Sequence, residues 1–247
     1  MHQLSAPATL SGAVLDPILR ADPVGPRITY YDDADGERVE LSAATLANWA
    51  AKTGNLLRDE LGAGPGSRVA ILLPAHWQTA AVLFGVWWVG AEAVLEGAAD
   101  PHTDIVFCTA ERLAEADAAA PTGEVAVLSL DAFGRPARDL PIGVTDYATA
   151  VRVHGDHIVP EPRPGPALAG RSVGDVLADC ERSAAARGLT SSDRVLSSAS
   201  WAGPVDLVDG LLAILAVGAS LVQVANPDAD PAARQRRIEA EKVTRVL

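Results

Sequence analysis

The chain has 247 residues, of which 49% are hydrophobic, enough to bury the core of one large α/β domain or of two smaller lobes. Its formal net charge of −12 argues against nucleic acid as a partner, because nucleic-acid binding depends on Lys and Arg side chains that neutralise phosphates. The longest apolar run, residues 80–91, is too short to cross a bilayer, and the amino terminus does not read as a signal peptide. We therefore expect a cytoplasmic protein without a membrane span.

The first elements in chain order are a helix over residues 10–21 and a hairpin. Two strands with alternating polarity, residues 28–31 and 38–41, flank an Asp-Gly pair, which is a hairpin signal. Ser42 then precedes an amphipathic helix, and serine is a favoured N-cap because its hydroxyl accepts a bond from an unpaired N–H group. A buried strand follows, and then a helix over residues 76–89 that is apolar on nearly all sides and should lie between layers.

Two stretches of the chain, residues 42–95 and 172–224, follow the same order of elements. Each begins with a serine cap and a helix that ends at glycine, and continues into a strand that begins Arg-Val. A proline, an apolar helix, a Gly-Ala pair and a short strand complete each stretch. Such self-similarity indicates one supersecondary unit used twice. The differences between the copies fall at helix ends and in loops, which a shared core tolerates.

The segment between the two copies predicts further elements. A β-α-β pattern covers residues 104–130, and residues 150–159 predict a tight hairpin with its turn at a Gly-Asp pair. The Pro-rich residues 160–166 predict an extended connection. After the second copy come a charged helix over residues 231–241 and a last short strand. This alternation of strands and helices predicts an α/β fold with mostly parallel sheet.

Residues 28–94, which begin ITYYDDADGERVEL and continue through RVAILLP, resemble the amino-terminal region of the adenylate-forming enzymes. That family includes acyl-CoA synthetases, nonribosomal peptide adenylation domains and luciferases. Residues 172–224, with GLLAILAVGASLVQV, resemble its second sub-lobe. The resemblance implies two pseudo-symmetric sub-lobes of mostly parallel sheet covered by helices. Their expected bounds are 1–140 for the first sub-lobe, 141–170 for the hairpin and Pro-rich connection, and 171–247 for a truncated second sub-lobe.

The family's means of holding ATP is missing from this sequence. In the family, a Ser/Thr/Gly-rich loop ending in Pro-Lys-Gly binds the phosphates, and it should fall between residues 148 and 170. The nearest remnant, residues 163–165 (Arg-Pro-Gly), has no hydroxyl run before it and no lysine. Alternatively, the loop has been excised and its strands rejoined by the predicted hairpin turn. The aromatic-Gly-x-Thr-Glu segment, the Thr-Gly-Asp ribose context and the carboxy-terminal domain with its catalytic lysine are also absent, so we expect no cofactor.

Six residues form the predicted ligand-binding set: Ser198, Ser200, Trp201, His154, His157 and Arg163. The first three leave the carboxyl end of a central strand, the edge that faces the ligand crevice in open parallel sheets. The two histidines flank the predicted turn, where with Asp156 they make an incomplete metal shell, so no metal site is predicted. No Gly-x-Ser-x-Gly elbow is present, and no catalytic residue is assigned.

Other candidate residues have structural interpretations. Cys108 and Cys180 lie in apolar patterns and are expected to be buried free thiols. His76 is expected to cap and anchor its helix together with the following tryptophan. Asp206 and Asp209 are expected to complement the dipole at a helix start rather than to form an acid–base pair.

The sequence therefore predicts a pseudoenzyme, a non-catalytic relative that keeps the scaffold of an adenylate-forming enzyme. It would act by binding a small acyl or nucleotide-like ligand in the crevice between the lobes, or by binding a protein partner. A homodimer over the face left by the missing half is also expected. Two alternatives stay open: an adenylating enzyme or subunit in which Arg163 or Arg171 replaces the lysine, and a serine hydrolase on the same scaffold.

Overall fold

The computed structural model describes residues 9–95 and 103–247. In chain order the elements are α1 (Leu10–Ala21), β1 (Pro26–Asp32), β2 (Glu37–Ser42), α2 (Ala43–Asp59), β3 (Arg68–Leu72), α3 (Trp77–Trp88), β4 (Glu92–Val94), β5 (Ile105–Cys108), α4 (Leu113–Ala119), β6 (Glu124–Val127), β7 (Thr145–Asp146), α5 (Tyr147–Ala150), α6 (Val173–Arg187), β8 (Arg194–Ser197), α7 (Pro204–Leu207), α8 (Ala213–Ala216), β9 (Ser220–Ala225), α9 (Pro231–Ala240) and β10 (Arg245–Val246). A π-helical turn, Val208–Leu212, joins α7 to α8, and 3₁₀ turns at Ala110–Arg112 and Val151–Val153 lead into α4 and follow α5.

The strands form two five-stranded sheets. Sheet A has the order β10-β8-β9-β1-β2, and sheet B has the order β4-β3-β5-β6-β7. Every pairing in sheet B is parallel, and in sheet A only the β1–β2 hairpin is antiparallel. The predicted α/β fold with mostly parallel sheet is therefore confirmed.

Strand alternation assigns the helices to layers. Val69 and Ile71 of β3 belong to the main core with α1, α2, α3 and α8, whereas Ala70 and Leu72 point to the opposite face, which α4 covers. Sheet A divides its side chains in the same way, and α9 covers its outer face through Ile238. Because successive side chains of a strand point to opposite faces, each sheet can be buried on both sides. The layers run α9, sheet A, central helices, sheet B, α4.

The two similar stretches fold with the same order of elements, helix, strand, helix and strand. In the first, α2, β3, α3 and β4 follow one another, and the backbone N–H of Ala91 donates to Val86 O at 3.1 Å. In the second, α6, β8, α7–α8 and β9 follow one another, and the N–H of Ala219 donates to Ile214 O, also at 3.1 Å. The second stretch differs by the π-helical turn within its second helix.

The hairpin β1–β2 belongs to the same sheet as the strands of the second stretch. Strand β1 pairs in parallel with β9, from Ile28 opposite Leu221 to Asp32 opposite Ala225. This pairing satisfies the free edge of β9 and buries β1 on both faces. The sheet therefore joins strands almost two hundred residues apart.

The predicted hairpin over residues 150–159 is wrong. Asp146 caps the short helix α5, the 3₁₀ turn follows, and residues 154–159 contain no strand. Side chains of α2 satisfy the carbonyl groups that a partner strand would otherwise bind. Lys52 donates to His154 O, Asn55 donates to Gly155 O and His157 O, and Arg58 donates to Val159 O. Among the described residues, no helix is both long enough and apolar enough to span a membrane.

Candidate functional site

Residues 160–168, which lie where a phosphate loop was expected, have no free backbone N–H group. Four of the nine are prolines and have no N–H: Pro160, Pro162, Pro164 and Pro166. The other five donate within the protein: Glu161 to Trp88 O at 2.9 Å, Arg163 to Glu161 Oε1 at 3.0 Å, Gly165 to Gly90 O at 3.0 Å, and Ala167 and Leu168 to Arg171 O at 2.7 and 3.5 Å. A phosphate cradle needs several N–H groups free to face the ligand. This segment offers none.

A two-residue turn leads directly from this segment into α6. Ala169 and Gly170 have φ of +50° and +72°, and Arg171 N–H donates to Leu168 O at 3.0 Å. The chain thus passes into α6 through this turn, and the predicted Gly-Asp hairpin turn is not formed. The N–H of Gly170 donates to Glu92 Oε1 at 2.6 Å, and Glu92 is only 8% exposed. A buried carboxylate, which also lies 3.5 Å from Arg68 Nε, thus takes the donor next to the helix.

The amino terminus of α6 is closed by its own cap. Ser172 Oγ accepts from Asp175 N–H at 3.2 Å, and Asp175 Oδ2 accepts from Ser172 N–H at 3.2 Å, which is the reciprocal capping box that the sequence predicts. Hydrogen bonds from Ser172 hold the pKa of Asp175 below its usual range, so its carboxylate is charged at neutral pH. The helix dipole that favours an anion is therefore already satisfied by one.

The structure does not bring the predicted ligand-binding residues together. His154 pairs with Glu60 at 3.0 Å near the end of α2, and His157 and Arg163 are exposed. Gly165 packs beside Gly66 and Gly90, which precede β3 and β4, so this part of the segment lies at the amino ends of sheet B strands.

Ser198 and Ser200 are exposed after the carboxyl end of β8, at the strand edge that the sequence predicts for them. Within the described residues, no hydrogen bond joins either serine to a histidine. The pairing of a serine with a histidine that a hydrolase requires is therefore not formed in this structure.

Trp201 is a core residue and does not line an open site. Its side chain is 3% exposed and belongs to the main core, where it packs against Gly210 of the π-helical turn. A Cβ atom at position 210 would lie only 3.1 Å from Trp201 Nε1. The indole therefore packs closely against Gly210, where a larger residue would leave less room for it.

A cavity of about 450 Å³ lies between α6 and the α7–π segment, next to the turn that precedes α6. Its lining is mainly apolar with charged groups at the rim: Leu168, Arg171, Val176, Asp179, Arg182, Ser183, Pro204, Val205, Val208 and Asp209. Asp179 forms ion pairs with both Arg171 and Arg182. The lining thus contains two guanidinium groups and two carboxylates, and the second carboxylate, that of Asp209, is paired with Arg187.

Sequence reasoning missed this cavity, because nothing in the residue pattern marks the π-helical turn. Asp206 behaves as predicted and accepts a bond from Gly203 N–H at 3.2 Å at the helix start. Asp209 instead faces α6, where it bonds Ser183 Oγ and Arg187 Nη2, each at 2.7 Å. The prediction that Asp209 complements the helix dipole is therefore wrong, since the π turn directs it across to the neighbouring helix.

A second cavity, of about 660 Å³, opens between the β1–β2 turn and the loop after β6. Beneath it His76 is buried and caps α3 as predicted, with Nδ1 accepting from Gln78 N–H at 3.1 Å. Burial lowers the pKa of His76, so the ring is neutral and carries its proton on Nε2, 3.9 Å from Glu37 Oε1. This arrangement holds the hairpin against α3 and lies at the carboxyl end of β3.

The described residues contain neither a reactive thiol nor a metal cluster. Cys108 and Cys180 are buried and free, as predicted, and burial raises the pKa of Cys108 to about 11 and that of Cys180 to about 12. No group of three or more His, Cys, Asp or Glu side chains in this part of the chain could hold a metal ion.

No protein-family profile matches the chain. A protein of Mycobacterium tuberculosis (strain ATCC 25618 / H37Rv), described as a TIGR03089 family protein, is 77% identical over 248 residues, which are 99% of this chain and 100% of that relative. Among solved structures, an acyl-CoA synthetase of Brucella canis matches with a TM-score of 0.78 at 20% identity, over 96% of this chain and 46% of the synthetase.

Two other solved structures also match almost the whole chain and about half of their own length. An anthranilate CoA ligase in complex with anthranoyl-AMP matches with a TM-score of 0.73 at 17% identity, over 98% of this chain and 50% of the ligase. MbtA of Mycobacterium smegmatis matches with a TM-score of 0.73 at 22% identity, over 96% of this chain and 47% of MbtA. The chain spans about half the length of the solved structures it matches. The predicted fold, that of the amino-terminal domain of an adenylate-forming ligase, is confirmed.

Proposed function

The chain belongs to the TIGR03089 family, and we propose that it is a non-catalytic binding protein, one that holds a small acyl-type ligand without adenylating it. The single observation that carries this proposal is the closed start of α6. Every N–H group of residues 160–168 is absent or bonded within the protein, and the carboxylates of Glu92 and Asp175 bind two further donors there. Two carboxylates thus occupy donors at the point where a triphosphate would need free ones.

The cavity beside α6 supports a binding role. Its volume of about 450 Å³ is within the range of small-molecule sites, and its walls are mainly apolar. Its apolar walls, with the guanidinium groups of Arg171 and Arg182 at the rim as donors, suit a ligand with an apolar body and an oxygen-bearing head. One ligase of the same fold binds an acyl group as anthranoyl-AMP, and we transfer only the acyl half of that chemistry to this chain.

Nucleotide binding is tested by titrating the chain with Mg-ATP in a calorimeter and by measuring pyrophosphate exchange with a panel of carboxylic acids. We expect neither heat nor exchange. Saturable ATP binding at millimolar concentration, or any acid-dependent exchange, would refute the proposal and favour the adenylating alternative. In that alternative Arg163 or Arg171 must replace the lysine, but Arg171 is already held by Asp179 and by Asp175 O.

Ligand binding is tested by thermal shift with short aliphatic and aromatic carboxylates. We expect a subset to raise Tm in the wild type and to lose that effect in Val208→Trp, which fills the cavity. Val24→Trp is the matched control, because Val24 is exposed and lies outside the cavity lining. If no acid shifts Tm, or if V208W responds like the wild type, the cavity is not the binding site.

A protein partner or a second copy is a further proposal, favoured by one observation. Val205 is 71% exposed at the cavity rim, which leaves an apolar side chain in water next to an apolar groove. Light scattering after gel filtration measures the mass, and a dimer that Val205→Asp converts to monomer supports this interface. A monomeric wild type at high concentration argues against a homodimer. We also propose that the protein is cytoplasmic and that its two similar stretches arose by internal duplication.

A further inference from the structure

A third cavity, of about 550 Å³, lies at the amino ends of the sheet A strands, apart from the α6 cavity. Arg27, on β1, contributes to its lining and is only 6% exposed. Its Nη1 donates to the backbone oxygens of Gly218 and Ala219, which hold the side chain in place between β1 and the start of β9. The guanidinium is therefore fixed and largely removed from water.

Within the described residues, the remaining edge of this guanidinium makes no hydrogen bond, and its one partner is the ion pair of Nη2 with Asp22. Nε is buried without a partner within the described residues, and the carboxylate nearest to Nη2, that of Asp22, lies 3.8 Å away and is half exposed. The Nε–Nη2 edge is the one that grips two oxygens of a carboxylate or phosphate. By contrast, Arg194 and Arg237 each bond directly to a carboxylate.

The groups around Arg27 include both carboxylates and hydrogen-bond donors. Each carboxylate of the lining already accepts a hydrogen bond: Asp22 from Gly25 N–H, Glu40 from Arg38, Asp193 from Thr190 and Thr244, and Glu241 from Arg38, Arg194 and Tyr31. The lining also contains exposed hydroxyl groups on Ser191 and Ser192, and the ammonium of Lys242 makes no ion pair within the described part of the chain. The lining therefore offers donors for an anion, and its four carboxylates are balanced by four cationic side chains.

We propose that this cavity is a binding site for a small oxyanion the size of phosphate, held by the Nε–Nη2 edge of Arg27 with Ser191, Ser192 and Lys242 around it. Burial lowers the pKa of Arg27 more than the attraction of Asp22 raises it, which means that the buried charge is poorly compensated. A bound oxyanion would supply the missing compensation. This site shares no residue with the α6 cavity, so its test is independent of the proposed acyl-binding role.

The test is a titration with inorganic phosphate at constant ionic strength, with chloride as the balancing anion. We expect a saturable rise in Tm of about 3–6 °C when phosphate reaches about ten times its Kd. Arg27→Met should weaken phosphate binding at least about tenfold, because the charged fork is lost. Ser191→Asp, at an exposed position, places a negative charge in the site without altering the core and should remove the response.

Arg236→Ala is the matched control, since Arg236 is exposed and lies outside the cavity lining. The proposal is overturned if phosphate raises Tm no more than chloride does, or if phosphate raises the Tm of S191D as much as that of the wild type. Both outcomes can be read even if R27M fails to fold. Acetate and glycerol phosphate as further arms separate the sources of the oxyanion. A response to acetate identifies a carboxylate site, and tighter binding of glycerol phosphate identifies a phosphate monoester.

Discussion

The stretches 42–95 and 172–224 share an order of elements but stabilise it by different means. In the first, all twelve residues of α3 are buried, and α3 packs on α2 through apolar and aromatic side chains. In the second, the α7–π–α8 segment meets α6 partly through charged groups, with Arg187 and Ser183 bound to Asp209, and a cavity remains beside it. A single arrangement of elements thus yields a filled core in one place and a ligand-sized space in the other.

The largest expected effect comes from Trp87→Ala in α3. Trp87 is fully buried and its Nε1 donates to Ala167 O at 2.8 Å, so truncation should lower the free energy of unfolding by about 3–5 kcal/mol. Val205→Ala, in the corresponding helix of the second stretch, should change it by less than about 0.5 kcal/mol. Chemical denaturation measures both. Equal losses would show that the two helices are packed alike and would remove the contrast.

Two glycine substitutions should sharpen the contrast. A Cβ at Gly85 would lie 2.8 Å from Thr53 Cβ and 3.0 Å from the backbone N of Gly54, so Gly85→Ala should cost about 1–3 kcal/mol by separating α3 from α2. A Cβ at Gly210 would meet only the Trp201 side chain, at 3.1 Å and more, and the Ala199 side chain at 3.8 Å. Because the better helix propensity of alanine offsets that contact, Gly210→Ala should remain within about 1 kcal/mol of wild type in the same measurement. A larger loss in G210A than in G85A would contradict this reading.

Lowering the pH should destabilise mainly sheet A, the sheet that contains β8 and β9 of the second stretch. Burial alone would raise the pKa of Glu241, but hydrogen bonds from Tyr31, Arg194 and Arg38 outweigh it and lower the pKa to about 2. A lowered folded-state pKa contributes stability above the unfolded value of about 4.3, and that stability is lost as pH falls towards 2. Glu241→Gln should cost about 1–2 kcal/mol at pH 7 and flatten the acid profile in this window. An unchanged slope of stability against pH in E241Q would refute the assignment.

The smallest expected effect is that of Asp209→Asn. The amide keeps an acceptor for Ser183 but loses the ion pair with Arg187, which is partly exposed, so the cost should be below about 1 kcal/mol and should shrink at high salt. Unfolding at low and at molar salt provides the measurement. A salt-independent loss would mean that Asp209 matters for the shape of the π-helical turn rather than for its charge.

Local sequence signals predict those parts of the fold that depend on local chemistry. The caps at Ser42, Ser172 and His76, the β1–β2 hairpin and the buried α3 all follow from side chains next to them in the chain. The membership of β1 in sheet A could not be inferred this way, because its pairing with β9 is set by distant residues. The false hairpin arose because the carbonyl groups of residues 154–159 found side-chain donors on α2 instead of a partner strand.

The candidate sites were harder to predict than the fold. The π-helical turn has no residue signature, so neither the cavity beside α6 nor the orientation of Asp209 is visible in the sequence. The absence of a Ser/Thr/Gly-rich loop with Pro-Lys-Gly could be seen in the sequence, because a motif is recognised from neighbouring residues. The bond from Gly170 N–H to Glu92 could not, since Glu92 lies far from Gly170 in the chain.

The two-residue link at Ala169 and Gly170 limits how a phosphate-binding loop could be built at this point of the scaffold. No exchange of single side chains can produce the required ring of donors, because the backbone between Leu168 and Arg171 is too short to encircle a phosphate. Loop grafting would have to lengthen the chain at this point and remove the charge of Glu92 in the same step.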